Sequence, residues 1–87
     1  MHETGLVRNL IQRIEQEAVA NGAIRVARVS VWLGALSHLS QEHFRDHFEI
    51  ESRGGVAAGA VLAITESHDA GDPDAQFLRL ETLDLEL

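Results

Sequence analysis

The first three residues of the chain, Met1, His2 and Glu3, bring several metal-binding atoms into one short segment. A free terminal amine, the deprotonated amide nitrogen and ring of His2, and the amide or carboxylate of Glu3 can reach a single ion. Peptide planarity keeps such donors close to one plane, and planar sites of nitrogen and oxygen suit Ni(II) or Cu(II). The segment therefore indicates a metal site if Met1 is a free terminus. The alternative is a solvated chain end without a metal.

A second set of candidate ligands lies on a predicted helix in the middle of the chain. His43 and His47 are four residues apart, and Glu51 follows one turn later. This spacing puts the three side chains on one helix face, an arrangement that can chelate Zn(II), Ni(II) or Cu(II). The alternative is a pair of boundary histidines beside a core formed by Phe44 and Phe48. The remaining loop histidine, His68, is predicted to be exposed.

Composition excludes several classes of function. The 87 residues include no cysteine and no lysine, which rules out thiolate zinc sites, Schiff-base chemistry and a P-loop lysine. A formal charge of -7 argues against a nucleic-acid partner. No signal peptide or membrane-length apolar run is found, so we expect a cytoplasmic protein that does not enter the membrane. No catalytic constellation can be assigned, and we predict that the chain is not an enzyme.

Hydrophobic periodicity predicts one small domain with two helices and three strands. Thr4 is the expected N-cap of the first helix, and Asn21-Gly22 is expected to end it. Ser40 is the expected N-cap of the second helix. The predicted elements run over residues 6–20, 27–33, 41–52, 60–65 and 77–87. The order α-β-α-β-β indicates a two-layer α/β (α+β) domain, with both helices on one face of a three-stranded sheet.

The predicted strands yield three further predictions. The short connection between the last two strands predicts an antiparallel hairpin. Leucine parity changes between Leu80 and Leu83, which predicts a β-bulge near Glu81–Thr82. Trp32 falls on the outward face of its strand, where packing against a neighbouring element is favoured over a partner surface.

Several motifs resemble the HypA/HybF family of nickel metallochaperones for [NiFe]-hydrogenase maturation. They are the opening MHE, the first helix, the strand followed by Gly-Ala-Leu-Ser, the second helix with Phe48-Glu49, then Arg53-Gly54, Ala58-Gly59-Ala60, and the closing LRLETLDLEL. Family members usually carry a zinc module with two CxxC pairs between the last two strands. Here a short loop, about residues 67–76, stands in its place, so the chain resembles the nickel-binding domain alone and no structural zinc is expected.

The resemblance implies that His2 is the nickel ligand, with the Met1 amine and the Glu3 segment completing the site. Some members have an acidic residue near the start of the second helix and a Glu after the loop glycine, whereas this chain has Ser40 and Ala35. The terminal segment then holds the metal alone or borrows His38.

The implied partner is a nickel-associated GTPase or the hydrogenase large subunit. We expect a monomer or a weak homodimer, which His43 and His47 can support by binding a bridging metal. The alternative function is that of a degenerate paralogue, retained as a protein-interaction module without metal.

Overall fold

The computed structural model describes the backbone of residues 3–87 and the side chains of residues 5–87. Two helices and three strands alternate in the predicted order α-β-α-β-β, which confirms a small α+β domain. Both helices contribute to a core cluster that covers one face of the sheet. The elements are α1 (Glu3–Ala20), β1 (Arg25–Leu33), α2 (Gln41–Ser52), β2 (Val61–Glu66) and β3 (Leu78–Glu86).

Helix α1 buries an apolar stripe and ends in a Schellman motif. The buried residues recur at helical spacing and are Val7, Leu10, Ile11, Ile14 and Ala18. The Ala23 amide donates to Ala18 at 2.9 Å and the Gly22 amide to Val19 at 3.1 Å, with Gly22 at φ 66°, as expected for this cap. The predicted N-cap at Thr4 is wrong because Thr4 already lies inside the helix. A capping preference cannot locate the boundary where the helical backbone continues past it.

Helix α2 begins where the sequence predicts. The Ser40 hydroxyl accepts the His43 amide at 3.1 Å, and a Glu66 carboxylate oxygen accepts the Gln41 amide at 2.9 Å. Two of the amides left without partners at a helix start are thereby satisfied. Phe44 and Phe48 point into the core with 0% and 3% exposure, and their ring centroids lie 5.8 Å apart.

The sheet has the order β2-β1-β3, so the predicted hairpin between the last two strands is wrong. Strand β1 pairs in parallel with β2 and antiparallel with β3. The central position falls to β1, whose residues Val26, Val29, Val31 and Leu33 are almost fully buried. Helix α2 forms the crossover that parallel pairing of β1 with β2 requires, and β3 then takes the opposite edge.

Two register shifts adjust which side chains reach the core. Between Ser30 and Val31 the register on β3 moves from Thr82 to Leu80, leaving Glu81 as the extra residue. The predicted bulge is thus confirmed. A second, unpredicted shift leaves Ala27 unpaired in β1 and returns Val26 to the core face.

Trp32 packs as predicted rather than standing free. Its side chain is only 9% exposed, and the Arg79 guanidinium carbon lies 4.0 Å from the ring centroid, a cation–π arrangement. Arg79 also donates to an Asp74 carboxylate oxygen at 3.2 Å, which ties the 67–77 connection to β3. None of the described helices is long and apolar enough to cross a membrane.

Candidate metal site

The leading predicted ligands stand at the start of α1. Met1 and His2 lie outside the described residues, and Glu3 is described through its backbone alone, as the first residue of α1. The terminal ligand set therefore stays a prediction. What the structure does define is the surroundings of the first turns of α1.

His38 adopts an unusual backbone conformation. Its φ is +63°, and within the described part of the chain it is the only residue other than glycine with positive φ. This left-handed region costs an ordinary residue roughly 1–2 kcal/mol. Strain of this kind concentrates at binding and active sites, so it marks His38 as a functional candidate. Its side chain is exposed and therefore accessible to an ion.

A surface cavity connects His38 to α1. The cavity has a volume of about 440 Å³. Its lining residues are Leu6, Leu36, Ser37, His38, Gln76 and Phe77. Because Leu6 belongs to the second turn of the helix that starts at Glu3, His38 lies beside the end of α1 that carries the predicted ligands. Whether the terminal segment borrows His38 stays a prediction.

A neighbouring cavity of about 310 Å³ brings His38 near two side chains that the sequence reasoning did not associate with it. These are Glu66, the last residue of β2, and His68, which is exposed as predicted. Side chains that follow parallel strands meet at one edge of a sheet, and His38 follows β1 as His68 follows β2. Parallel pairing of β1 with β2 brings these residues together, and the sequence patterns did not predict which strand pairs with β1.

The described residues do not assemble a complete metal site by themselves. Among the side chains of residues 5–87, no three of the metal-binding types lie close enough together to hold one ion. His38 therefore stays a single candidate ligand among the described residues.

Glu51, the third predicted ligand beside His43 and His47, forms an ion pair with Arg8. The Arg8 side chain donates to the Glu51 carboxylate through Nε at 3.0 Å and through Nη2 at 3.4 Å. The hydrogen bond from Arg8 lowers the pKa of Glu51, and the charges of Arg8 and His47 add to that effect. Glu51 is thus held against α1, and His43 with His47 stays a prediction of a pair that needs further ligands.

Ser40 caps helix α2, because its hydroxyl accepts a hydrogen bond from the His43 amide. An acidic residue near this position, expected from the resemblance, is therefore replaced by a neutral cap. Ala35 offers no donor either. Of the residues flanking the cavity on this loop, His38 is the one with a metal-binding side chain.

Comparison with known proteins relates the sequence of the chain to one family. Residues 1–71 match the family model described as "Hydrogenase/urease nickel incorporation, metallochaperone, hypA". The hydrogenase maturation factor HypA of Acidithiobacillus ferrooxidans is 36% identical over 64 residues, covering 74% of this chain and 57% of the relative. The corresponding factor of Rhodopseudomonas palustris strain BisB5 is 43% identical over 64 residues, with the same two shares of 74% and 57%.

Solved structures extend the likeness in fold to the end of the sheet. The solution structure of the Ni metallochaperone HypA from Helicobacter pylori superposes with a TM-score of 0.79 at 23% identity, covering 99% of this chain and 98% of that one. The structural match therefore includes β3, which lies beyond the sequence match. The chain spans 57% of the length of the curated relatives it matches in sequence.

Proposed function

Because the chain belongs to the HypA family of nickel-incorporation metallochaperones, we propose that it binds Ni(II) and delivers it during [NiFe]-hydrogenase maturation. The observation that carries the proposal is that the family match begins at residue 1 and so includes Met1-His2-Glu3. The relatives that match in sequence are themselves described as hydrogenase maturation factors. Delivery of a metal is not a catalysed reaction, in line with a non-enzymatic chain.

The proposed ligands are the Met1 amine, the amide and imidazole nitrogens of His2, and Glu3, with His38 as a further donor. Nickel is the cargo in this account, so the site must release as well as bind. A ligand set at a chain terminus can leave the ion one donor at a time. The exposed His38 imidazole, beside the first turns of α1, supplies a donor that does not depend on the terminal segment.

The proposed acceptor is a nickel-associated GTPase or the hydrogenase large subunit, met in the cytoplasm. No resident zinc takes part, because the 87 residues contain no cysteine and the cysteine-based module of the family has no equivalent in them. The 67–77 connection instead crosses from β2 to the Arg79–Asp74 ion pair beside β3.

A second function has one observation in its favour. The hydroxyl of Ser40 caps α2 where the resemblance leads us to expect a carboxylate near the metal. A chain retained only for its protein contacts would tolerate this exchange. In that reading the protein is a degenerate paralogue that docks on a maturation component without carrying nickel.

Substitution of His38 tests its proposed role as a further donor. His38→Asn removes the imidazole but keeps a residue type that tolerates the left-handed backbone, so the fold should be unchanged. We expect Ni(II) affinity to fall by at least about tenfold, as when groups around a metal are removed. His38→Gly should weaken binding equally while raising the free energy of unfolding by about 1 kcal/mol through relief of strain.

The matched control is Glu17→Gln, which removes an exposed carboxylate from the far end of α1 and should leave the affinity unchanged. Calorimetric titration with Ni(II) and chemical denaturation provide the two readouts. If His38→Asn titrates like the unmodified protein, His38 is not a ligand, and the terminal set must hold the ion alone.

A further inference from the structure

The outer edge of β3 is unpaired and accessible. In the sheet order β2-β1-β3, strand β3 has β1 on one side and no strand on the other among the described residues. A groove of about 400 Å³ lies between α1 and β3, and the consecutive residues 77–80 all line it. Neighbouring side chains of a strand point to opposite faces. Four consecutive residues can line one groove only if it runs along the backbone edge.

The leucines of β3 are incompletely covered. Four of them pack against the core cluster from the edge of the sheet: Leu78, Leu80, Leu83 and Leu85. Each stays half-buried, whereas the corresponding side chains of β1 are almost fully buried. The strand carries neither proline nor lysine, but its bulge at Glu81 and its four charged residues restrict which strands can pair with this edge. A further strand paired at this edge would bury more of the surface of these leucines.

The sequence of β3 is complementary to itself when read in the opposite direction. The bulge at Glu81 divides the strand into Leu-Arg-Leu and Leu-Asp-Leu. We propose that two copies of the chain pair antiparallel through the outer edges of β3, about a twofold axis between Glu81 and Thr82. The product is one continuous sheet with three strands from each copy and the helices of both copies on the same face.

In this register each leucine of the core face lies opposite a leucine of the other copy. Leu78 of one copy lies opposite Leu85 of the other, and the twofold axis generates this contact twice. Leu80 lies opposite Leu83 in the same way. All four belong to the core face, and they can meet in pairs only because the bulge changes the parity of the strand between them. A slip of one residue would put leucines opposite polar side chains of the other face.

The same register places residues of opposite charge across from one another. Arg79 and Asp84 lie on the opposite face of the sheet, since they pair with Trp32 and Arg28 of β1. Across the axis each Arg79 meets an Asp84, which forms two symmetric pairs of opposite charge. Glu81 meets Thr82, so no two like charges are directly opposed. Complementary cross-strand pairs favour this pairing over others, and the small interface predicts a weak, concentration-dependent dimer.

A charge-swap experiment tests the proposal. Sedimentation velocity is measured from low micromolar to nearly millimolar protein, with EDTA present so that no bridging metal contributes. The unmodified chain should pass from monomer to dimer. Arg79→Asp and Asp84→Arg should each weaken the dimer by at least about tenfold, because each introduces two like-charge pairs. The double variant should recover the dimer, since it restores both pairs in exchanged positions.

Arg45→Asp is the matched control, because it makes the same charge change at an exposed position of α2 and should dimerise normally. Circular dichroism verifies folding, since Arg79 also contacts Trp32 and Asp74. A chain that stays monomeric at every concentration would overturn the proposal, as would single variants that dimerise normally or a folded double variant that does not recover.

Amide hydrogen exchange on the unmodified chain gives an independent readout that needs no variant. At high protein concentration, exchange should slow in β3 and stay unchanged in β2, the other edge strand. Equal exchange of β3 at low and high concentration would contradict the dimer. Both tests are made without nickel, so their outcome does not depend on the proposed function.

Discussion

Acetylation of the Met1 amine is expected to lower the Ni(II) affinity of the chain by at least about 100-fold, the upper end of what indirect support of a metal contributes. Acetylation converts the terminal amine into an amide and leaves His2 in the second position. It therefore removes the amine from the run of adjacent donors that one ion can span. His2→Ala should have an effect of similar size, because it removes the imidazole and keeps the amine.

Calorimetric titration of the acetylated protein and of His2→Ala beside the unmodified protein measures this effect, and Glu17→Ala serves as the control. Imidazole and amide nitrogens must lose protons to bind the metal. The affinity of the unmodified protein should therefore rise with pH through the histidine range, around pH 6.5. Equal binding by the acetylated and unmodified proteins would exclude the terminal amine from the site and favour His43 and His47 as the ligands.

Phe44→Ala is expected to lower the free energy of unfolding by about 3–5 kcal/mol. The side chain is fully buried and packs beside Phe48 at a centroid distance of 5.8 Å, in the layer between the helices and the sheet. Its removal leaves a cavity that rigid neighbours fill only in part. A domain of this size has a total stability of about 5–15 kcal/mol, so the variant should be partly unfolded at physiological temperature.

Urea denaturation gives the free energies, with Ile50→Ala as the control on the same helix. Ile50 is 56% exposed, and its loss should change stability by no more than about 0.5 kcal/mol. A small effect at Phe44 together with a large one at Ile50 would mean that α2 presents a different face to the core.

The parts of the fold that the sequence predicted are those determined by local patterns. The spacing of Val7, Leu10 and Ile14 predicts α1, and the Phe44–Phe48 pair with the Ser40 cap predicts α2. The bulge at Glu81 is visible because the parity of the leucines changes within one strand. Each of these signals extends over a few residues, and the structure confirms each.

The errors concern pairing and boundaries, which are not local. A short connection favours a hairpin, but the crossover through α2 puts β2 beside β1 and leaves β3 the far edge. Nothing in the strand sequences states which neighbour a strand will have. Thr4 is a good capping residue, yet the helix includes it, because a capping preference is weaker than continuation of the helical backbone.

The candidate site was accessible to sequence reasoning only in part. Met1, His2 and Glu3 are adjacent in the chain, so their joint chemistry can be read directly. The approach of His38 to Glu66 and His68 depends on parallel pairing of β1 with β2. Histidine is among the residue types enriched at positive φ, but that preference is too weak to predict the conformation of His38. The fold therefore had to be known before these residues could be grouped.

Complementation is the most direct test that the protein carries nickel for hydrogenase maturation. A strain that lacks the gene is supplied with either the unmodified protein or His2→Ala, at equal protein levels, and hydrogenase activity is measured in nickel-limited medium. The nickel-carrier account predicts that the unmodified protein restores activity and that His2→Ala does not. Full restoration by His2→Ala would contradict it and identify the chain as an interaction module that needs no imidazole.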